Sequence, residues 1–244
     1  MQDIDKIIRC IALENGAQLV GVAATAEVEG ETTAAPTFIP GRPQIARWGT
    51  PILSAELKVF PRAVVIGVPV LRSVLDTLKD GPNHIYYHHY RQINLLLDQV
   101  ALKIGLYLEK AGYKSIPIAA SQIVDWESQR AYVSHKELAR LAGLGWRGRN
   151  NLLVTEKWGA AVRLASILTD APLATGLPLD RDCGNCYACV RVCPAGAIKR
   201  DVSRFDHLAC FQELRQLSRE RNIGQYICGL CIKACYRGGG CGQS

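Results

Sequence analysis

The sequence predicts an α/β (α+β) protein in which an N-terminal α/β domain is followed by a small cysteine-rich module. Before residue 170, stretches with helical periodicity alternate with short β-branched runs, which is typical of a layered α/β domain. Nine of the ten cysteines lie after position 182, beyond a connection rich in proline and glycine. We therefore expect two domains, at residues 1–175 and 176–244, with a flexible tail at the C-terminus.

The elements of the first domain can be assigned in order along the chain. Apolar residues at helical spacing over residues 4–11 predict a helix that ends at Asn15-Gly16. Ser134 with Glu137 three residues later forms a capping-box pattern, which predicts the start of a later helix. The other predicted elements are a helix at residues 87–111 and strands at residues 18–23, 63–68, 115–119 and 162–169.

Composition limits the class of protein. Hydrophobic residues make up 48% of the chain and charged residues 21%, as in an ordinary soluble globular protein. No apolar run approaches the ~20 residues needed to cross a bilayer, and the acidic first residues match no export signal. We expect a cytoplasmic protein that does not bind membranes. Residues 29–51, which hold several prolines, should form a long irregular connection.

The first cysteine group has a spacing typical of iron–sulfur proteins. Cys183, Cys186, Cys189 and Cys193 are followed by Pro194, which gives the C-x2-C-x2-C-x3-C-P run of bacterial two-cluster ferredoxins. In that arrangement, three close thiolates bind one 4Fe–4S cluster and the fourth reaches the other cluster. A reducing cytoplasm also disfavours disulfides, so the cysteines are expected to bind metal.

A second cysteine group completes the ligand set. Cys228, Cys231 and Cys235 lack the third close cysteine of a full motif, and Cys210 supplies the missing ligand. The crossover rule gives the first cluster Cys183, Cys186, Cys189 and Cys235, and the second cluster Cys193, Cys210, Cys228 and Cys231. Because four protein thiolates close each cluster, we expect both to relay electrons and not to bind the reactant. The C-terminal module is then ferredoxin-like.

Zinc is the alternative metal for these residues. Cys183-x2-Cys186 and Cys228-x2-Cys231 could form a four-thiolate structural site, but the remaining ligands would then have no role. Two oxidised clusters carry roughly −2 each, which lowers the formal charge of +7 to about +3 and makes it weak evidence for RNA binding. Cys10 is expected in the core of the first helix. Cys241, in the glycine-rich tail, is expected to be a free thiol.

A glycine-rich motif carries a family resemblance. The motif is Ala142-Gly-Leu-Gly-Trp-Arg-Gly-Arg-Asn150, and it is followed by Asn151-Leu-Leu-Val154 and a strand that ends at Leu168-Thr-Asp170. Together with the two cysteine groups, these segments resemble the epoxyqueuosine reductase family, which is related to the reductive dehalogenases. The likeness covers most of the chain, in a short form without the C-terminal helical-repeat extension of many longer members.

The resemblance implies a cobalamin held base-off in the N-terminal domain, with the nearer cluster delivering electrons to cobalt. It also implies reduction of epoxyqueuosine to queuosine in the tRNA anticodon loop, with ferredoxin or flavodoxin as a low-potential electron donor. Gly143 and Gly145 would let the backbone approach a flat ligand, and Trp146 would offer an apolar face. Arg149 and Asn150 could bind amide or phosphate groups of the cofactor. A tight turn without a ligand is the alternative.

Asp125 is the candidate catalytic acid. The family has an aspartate in an Asp-x-x-Pro setting upstream of the Ala-Gly-Leu-Gly turn, and the corresponding position here is Gln129. Asp125 matches only if residues are inserted, and no proline follows at the right place. A loop or helix-capping aspartate is the alternative.

Histidines and tyrosines cluster at the expected start of the long helix. Tyr87 and His88, with His84, Tyr86, His89 and Tyr90 nearby, could line a cofactor or substrate pocket in which a tyrosine donates a proton. The histidines could instead bind a metal, or the cluster could be an exposed aromatic helix end.

Two main hypotheses for the function follow. The first is an iron–sulfur, cobalamin-dependent reductase of queuosine biosynthesis that acts on tRNA. The second is an electron-transfer protein without its own substrate, such as a ferredoxin-like subunit or a reductive activator of a corrinoid protein. The lack of a clear catalytic acid favours the second hypothesis. A cytoplasmic relative of the reductive dehalogenases is a third possibility, and the sequence does not indicate an oligomeric state.

Overall fold

The computed structural model describes residues 3–25, 57–124 and 131–236, which belong to two compact units. The first unit comprises Met1–Val68, Asn94–Leu144 and Leu164–Leu179, and the second comprises Pro69–Ile93, Gly145–Arg163 and Asp180–Ser244. This division differs from the boundary expected at residue 175, because two segments from the N-terminal part of the sequence pack with the cysteine region. Residues 29–51, Asp125 and Cys241 lie outside the described residues.

Helices and strands alternate through the described residues. The strands are β1 (Leu19–Ala24), β2 (Arg62–Pro69), β3 (Ser115–Ile118), β4 (Trp146–Arg147), β5 (Leu153–Val154) and β6 (Val162–Thr169). The helices are α1 (Ile4–Glu14), α2 (Arg72–Asp76), α3 (His84–Lys110), α4 (His135–Leu141), α5 (Ala188–Arg191), α6 (His207–Glu220) and α7 (Leu230–Cys235). Each strand and helix predicted from periodicity is therefore present, within a few residues of its expected bounds.

A four-stranded sheet with the order β1-β2-β6-β3 forms the core of the first unit. The pairs β1–β2 and β3–β6 are antiparallel, with Leu19 opposite Gly67 and Ser115 opposite Thr169. Of the two central strands, β2 is buried at its six inner positions and β6 is buried over its last six residues. Their near-continuous apolar sequence follows from burial on both faces of the sheet.

The first helix shows why Cys10 is not a core residue. In α1, Ile8 and Ala12 are buried, whereas Cys10 is exposed. At about 100° per residue, Cys10 points away from the face that carries Ile8 and Ala12. The expectation that Cys10 packs in the core is therefore wrong. The end of the helix is as predicted, with Asn15 as the C-cap and Gly16 in the left-handed region at φ 102°.

Side-chain caps define where the later helices begin. Asn83 Oδ1 accepts a hydrogen bond from the backbone N–H of Tyr86 at 2.9 Å, so α3 begins three residues before the position predicted from periodicity. Ser134 Oγ accepts from the backbone N–H of Glu137 at 3.3 Å, as the capping-box pattern predicts. Among the described helices, none is both long enough and apolar enough to cross a bilayer.

Candidate metal centre

All eight predicted cluster ligands lie in the second unit. Helix α5 carries Cys189, α6 carries Cys210, and α7 carries Cys231 and Cys235, while the other four lie in the adjoining loops. Cys189 and Cys235 are buried and the other six are partly exposed. The eight cysteines are free thiols, so none of them is held in a disulfide.

The first three cysteines form one neighbourhood. Burial, together with the nearby charges of Cys183 and Cys186, raises the pKa of Cys189 to about 11. The backbone N–H of Cys186 donates to the carbonyl of Cys183 at 2.9 Å, which closes a tight turn between them. Gly184 lies within this turn at φ 46°, in the left-handed region that favours glycine. The turn therefore brings Cys183 and Cys186 together, two of the four predicted ligands of the first cluster.

Four further cysteines form the second neighbourhood. Burial raises the pKa of Cys231 well above its ordinary value, and the charges of Cys228, Cys210, Cys189 and Cys193 act in the same direction. The pKa of Cys228 is also raised, first by burial and then by Cys193. Cys193, Cys210, Cys228 and Cys231, the set expected for the second cluster, are thus neighbours, and Cys189 lies between the two groups.

Cys235 lies on the side of the first group. It packs with Trp146, Val154 and Ala160, and Cys183 packs against the same cluster of side chains. This placement agrees with the expectation that Cys235 is the fourth ligand of the first cluster, although the ligand assignment itself stays a prediction.

The chemistry of these side chains fits iron–sulfur clusters. Eight thiols in two neighbouring groups match the four-thiolate ligation of two 4Fe–4S clusters. Because burial favours the protonated thiols, cluster assembly must release protons from them. Within the described ranges, no group of three or more His, Cys, Asp or Glu side chains is arranged to hold a metal ion. The four irons of a cubane each bind a separate thiolate, which spaces the ligands more widely than around one ion.

The glycine motif packs against the protein's own backbone. Gly143 lies at φ 73°, and a β-carbon added there would come within 2.5 Å of the carbonyl oxygen of Leu177. A β-carbon at Gly145 would lie 2.3 Å from the carbonyl oxygen of Val154 in β5. The close approach expected for a ligand is therefore made by backbone, as in a tight turn. A cavity of about 270 Å³ lies beside Ala142 in the first unit, below the ~300–1,000 Å³ of pockets for drug-sized ligands.

Two donors of the motif are buried without an acceptor. Trp146 is 2% exposed and Asn150 is 5% exposed. The indole Nε1 of Trp146 and the amide Nδ2 of Asn150 have no hydrogen-bond partner among the described residues. A bound group could satisfy such donors, since buried polar atoms are usually paired. Cobalamin binding at this motif stays a prediction, and the donors of Trp146 and Asn150 are the described groups of the motif that a ligand could satisfy.

Arg149 has a different environment from the one expected for a cofactor ligand. Its guanidinium donates to three backbone carbonyls, those of Arg200 at 2.7 Å, Gly184 at 2.8 Å and Cys186 at 3.2 Å. Gly184 and Cys186 belong to the turn that carries the first cysteines. Arg149 therefore binds the cysteine loop through three of its five N–H groups, and its contact with a cofactor stays a prediction.

The residues at the start of α3 lie on different faces of the helix and therefore differ in burial. His88 is exposed and Tyr87 is partly buried, whereas Tyr86 and Tyr90 are buried. His89 Nε2 accepts from the backbone N–H of Leu71 at 3.1 Å, and burial lowers its pKa. The rings of Tyr87 and His88 nevertheless lie with their centroids 5.3 Å apart, and their role in a pocket stays a prediction.

Tyr86, one of the aromatic residues predicted to cluster at the start of α3, is buried beside the second cysteine group. Burial raises its pKa, the charge of Arg163 opposes this, and Cys231 and Cys228 raise it further, so Tyr86 lies beside the second cysteine group. Tyr90 accepts a hydrogen bond from Arg163 at 3.0 Å. Positions 86 and 90 precede Ile93 and Leu97 at helical spacing, which places both tyrosines on the buried face of α3.

Sequence comparisons give the family relationship. No family model matches the chain. The chain is 32% identical to an epoxyqueuosine reductase of Aliivibrio fischeri over 138 residues, covering 54% of this chain and 34% of that protein. It is 28% identical to an epoxyqueuosine reductase of Leadbetterella byssophila over 214 residues, covering 81% of this chain and 65% of that protein. The chain is a relative of the epoxyqueuosine reductases.

The reductive dehalogenases are also related. A tetrachloroethene reductive dehalogenase of Desulfitobacterium hafniense is 27% identical over 228 residues, covering 82% of this chain and 39% of that protein. The chain therefore spans between about a third and two thirds of the length of these epoxyqueuosine reductase and dehalogenase relatives.

Solved structures share the fold. The epoxyqueuosine reductase of Streptococcus thermophilus has a TM-score of 0.61 at 17% identity, covering 96% of this chain and 66% of that one. An epoxyqueuosine reductase solved with an epoxyqueuosine-modified tRNA-Tyr stem loop has a TM-score of 0.61 at 17% identity, covering 95% of this chain and 64% of that one. A reductive dehalogenase whose structure suggests a mechanism for B12-dependent dehalogenation has a TM-score of 0.65 at 20% identity, covering 93% of this chain and 30% of that one.

Proposed function

We propose that this relative of the epoxyqueuosine reductases is an oxidoreductase that holds two 4Fe–4S clusters on its eight C-terminal cysteines. The single observation that carries the proposal is the grouping of these cysteines in one compact unit. Cys183, Cys186 and Cys189 lie together, and Cys193, Cys210, Cys228 and Cys231 form a second group. Clusters closed by four thiolates suit a relay of electrons towards a substrate or a second cofactor.

The substrate we propose is an epoxide of the epoxyqueuosine type in tRNA. Removing the epoxide oxygen to leave an alkene consumes two electrons and two protons and releases water. The two clusters would pass the electrons one at a time from a low-potential donor such as ferredoxin or flavodoxin. The relatives named epoxyqueuosine reductase and the solved complex with a modified tRNA stem loop support this choice.

Cobalamin is the cofactor that we propose for the reducing step. The support comes from the related dehalogenase whose structure suggests a B12-dependent mechanism. Such a cofactor would supply a reduced cobalt centre that the clusters alone lack. Within the motif, the unsatisfied donors of Trp146 and Asn150 are the described groups that favour a bound ligand.

A specific observation also favours the second candidate, an electron-transfer protein without its own substrate. Gly143 and Gly145 are explained by contacts with the protein's own backbone, so the glycine motif does not require a ligand. A ferredoxin-like carrier or a reductive activator of a corrinoid protein would need only the clusters.

Anaerobic titration with cob(II)alamin separates the two candidates. If the chain is a cobalamin-dependent reductase, the reconstituted protein binds cob(II)alamin and its electron paramagnetic resonance spectrum lacks the splitting from a lower nitrogen ligand. The same preparation then converts a tRNA stem loop carrying epoxyqueuosine to the queuosine form. Intact clusters without cobalamin binding or turnover would leave electron transfer as the function.

A further inference from the structure

The guanidinium of Arg149 makes an unusual set of contacts around the first cysteine loop. Its Nε donates to the carbonyl of Arg200, Nη1 to that of Cys186 and Nη2 to that of Gly184. All three acceptors are backbone oxygens, so none of the contacts neutralises the charge of the arginine. Arg149 is partly buried, which reduces the screening of that charge by water.

The loop that Arg149 holds is the segment carrying the first two predicted ligands. The carbonyl of Cys183 already accepts from the backbone N–H of Cys186 within the turn. The side chain of Asp182 accepts from the N–H of Gly184 at 2.7 Å. The carbonyls of Gly184 and Cys186 accept hydrogen bonds from the Arg149 guanidinium. Arginine suits this task because its planar fork can hold several carbonyls at once, whereas a lysine ammonium is a point charge.

An aromatic ring completes the environment of the arginine. The Arg149 guanidinium lies 4.5 Å from the centre of the Tyr187 ring, and Arg200 lies 5.1 Å from the same ring. Tyr187 directly follows Cys186, so this stacking fixes the arginine next to the ligand loop.

We propose that Arg149 is a positioning residue that raises the reduction potential of the first cluster. Reduction adds one electron to the cluster, and a fixed positive charge beside the ligand loop stabilises the reduced form. The inference rests on the proposed iron–sulfur function but not on cobalamin or on tRNA. It assigns Arg149 to the electron relay, a role beyond the cofactor contact expected from the sequence.

The test compares Arg149→Met, Arg149→Lys and the wild type after anaerobic reconstitution. Redox titration monitored by electron paramagnetic resonance should resolve two reduction steps in each protein. In Arg149→Met, one step should move to more negative potential by at least about 59 mV, a tenfold change in the reduction equilibrium of a one-electron couple. The potential of the other step should not change. Arg149→Lys should keep both potentials close to those of the wild type, because it retains the positive charge.

Arg219→Met is the matched control. Arg219 is an exposed arginine on α6 in the same unit, so its removal changes net charge by the same amount. Both reduction steps should keep their potentials in this variant. If Arg149→Met loses iron, Arg149→Gln, which keeps an amide donor for the loop, has to show the same selective shift.

Three results would overturn the proposal. These are unchanged potentials in the neutral variants, a shift of both steps together, or a shift as large in Arg149→Lys as in Arg149→Met. Failure of the wild type to assemble two clusters would refute the proposed function instead, and it would be visible in the iron content before any titration.

Discussion

Gly159 lies against the backbone of Cys235, and at the scale of the residue this contact fixes where the last predicted ligand sits. Gly159 has a φ of 56°, and a β-carbon there would lie 2.2 Å from the carbonyl oxygen of Cys235. It would also lie 3.1 Å from the Cys235 sulfur. A side chain at this position would therefore have to displace the ligand.

Gly159→Ala should reduce the iron bound after reconstitution to roughly half, because only the first cluster uses Cys235. Gly112→Ala is the control, since Gly112 also has a positive φ, 89°, but nothing lies within 4 Å of its added β-carbon. Backbone strain should cost both variants about 1 kcal/mol of unfolding free energy. Iron analysis and urea unfolding measure the two effects, and full iron in Gly159→Ala would contradict this account of Cys235.

Cys210→Ala should remove or open only the second cluster and leave roughly half of the iron. Cys210 lies one turn into α6, beside Cys231, and the first cluster draws no predicted ligand from that helix. Cys10→Ala, in an exposed position of α1, should keep the full iron content. Equal iron in both variants would show that the ligand assignment is wrong.

Residue roles were predictable where they depended on covalent spacing. The grouping of Cys183, Cys186 and Cys189 follows from their separation in the sequence, whereas the environment of Arg149 does not. Its three acceptors lie between 35 and 51 residues further along the chain, beyond the reach of any local pattern. The face on which Cys10 lies was misjudged, because its apolar neighbours are on another side of the helix.

At the scale of the element, α4 depends on its cap. Ser134→Ala removes the acceptor for the backbone N–H of Glu137 and should cost about 1 kcal/mol of unfolding free energy. Ser134→Asp should retain most of the stability, because aspartate is an equally good N-cap. Chemical denaturation of the three proteins under identical conditions gives the comparison. A loss in Ser134→Asp as large as in Ser134→Ala would contradict the capping role.

The cysteine-bearing helices α5 and α7 should make the cluster-free protein sensitive to alkali. Burial raises the pKa of Cys189 from 9.0 to about 11, and the pKa of Cys231 is raised as well. As pH rises above about 9, the unfolded chain loses these protons first, so the free energy of unfolding is full below pH 9 and falls towards pH 11.

Urea unfolding of reduced, cluster-free protein between about pH 8 and pH 10.5 measures this decline. Reconstituted protein has the same lysines and tyrosines but no thiol protons to lose at the ligands, so it is the control. An equal decline in both forms would show that the buried thiols do not cause it.

The elements themselves were largely predictable. The strand predicted at residues 162–169 is β6, and the helix expected from Ser134 and Glu137 is α4. The start of α3 was placed too late, because its cap is the side chain of Asn83 and periodicity does not report caps. The antiparallel register of β1 with β2 joins residues more than 37 positions apart and leaves no local signal.

At the scale of the whole molecule, the two compact units interleave along the chain. Residues 69–93 and 145–163 belong to the same unit as the cysteine region. The contact of Gly159 with Cys235 and the packing of Trp146 with Cys235 illustrate why. A sequence boundary drawn where composition changes cannot detect such long-range packing.

The most direct test of the account is the iron and acid-labile sulfide content of the whole chain after anaerobic reconstitution. Two clusters closed by eight thiolates predict about eight irons and about eight sulfides per chain, with the broad visible absorption of 4Fe–4S centres that bleaches on reduction. Stoichiometric zinc with negligible sulfide would contradict the account, because the cysteines would then form structural sites and carry no electrons.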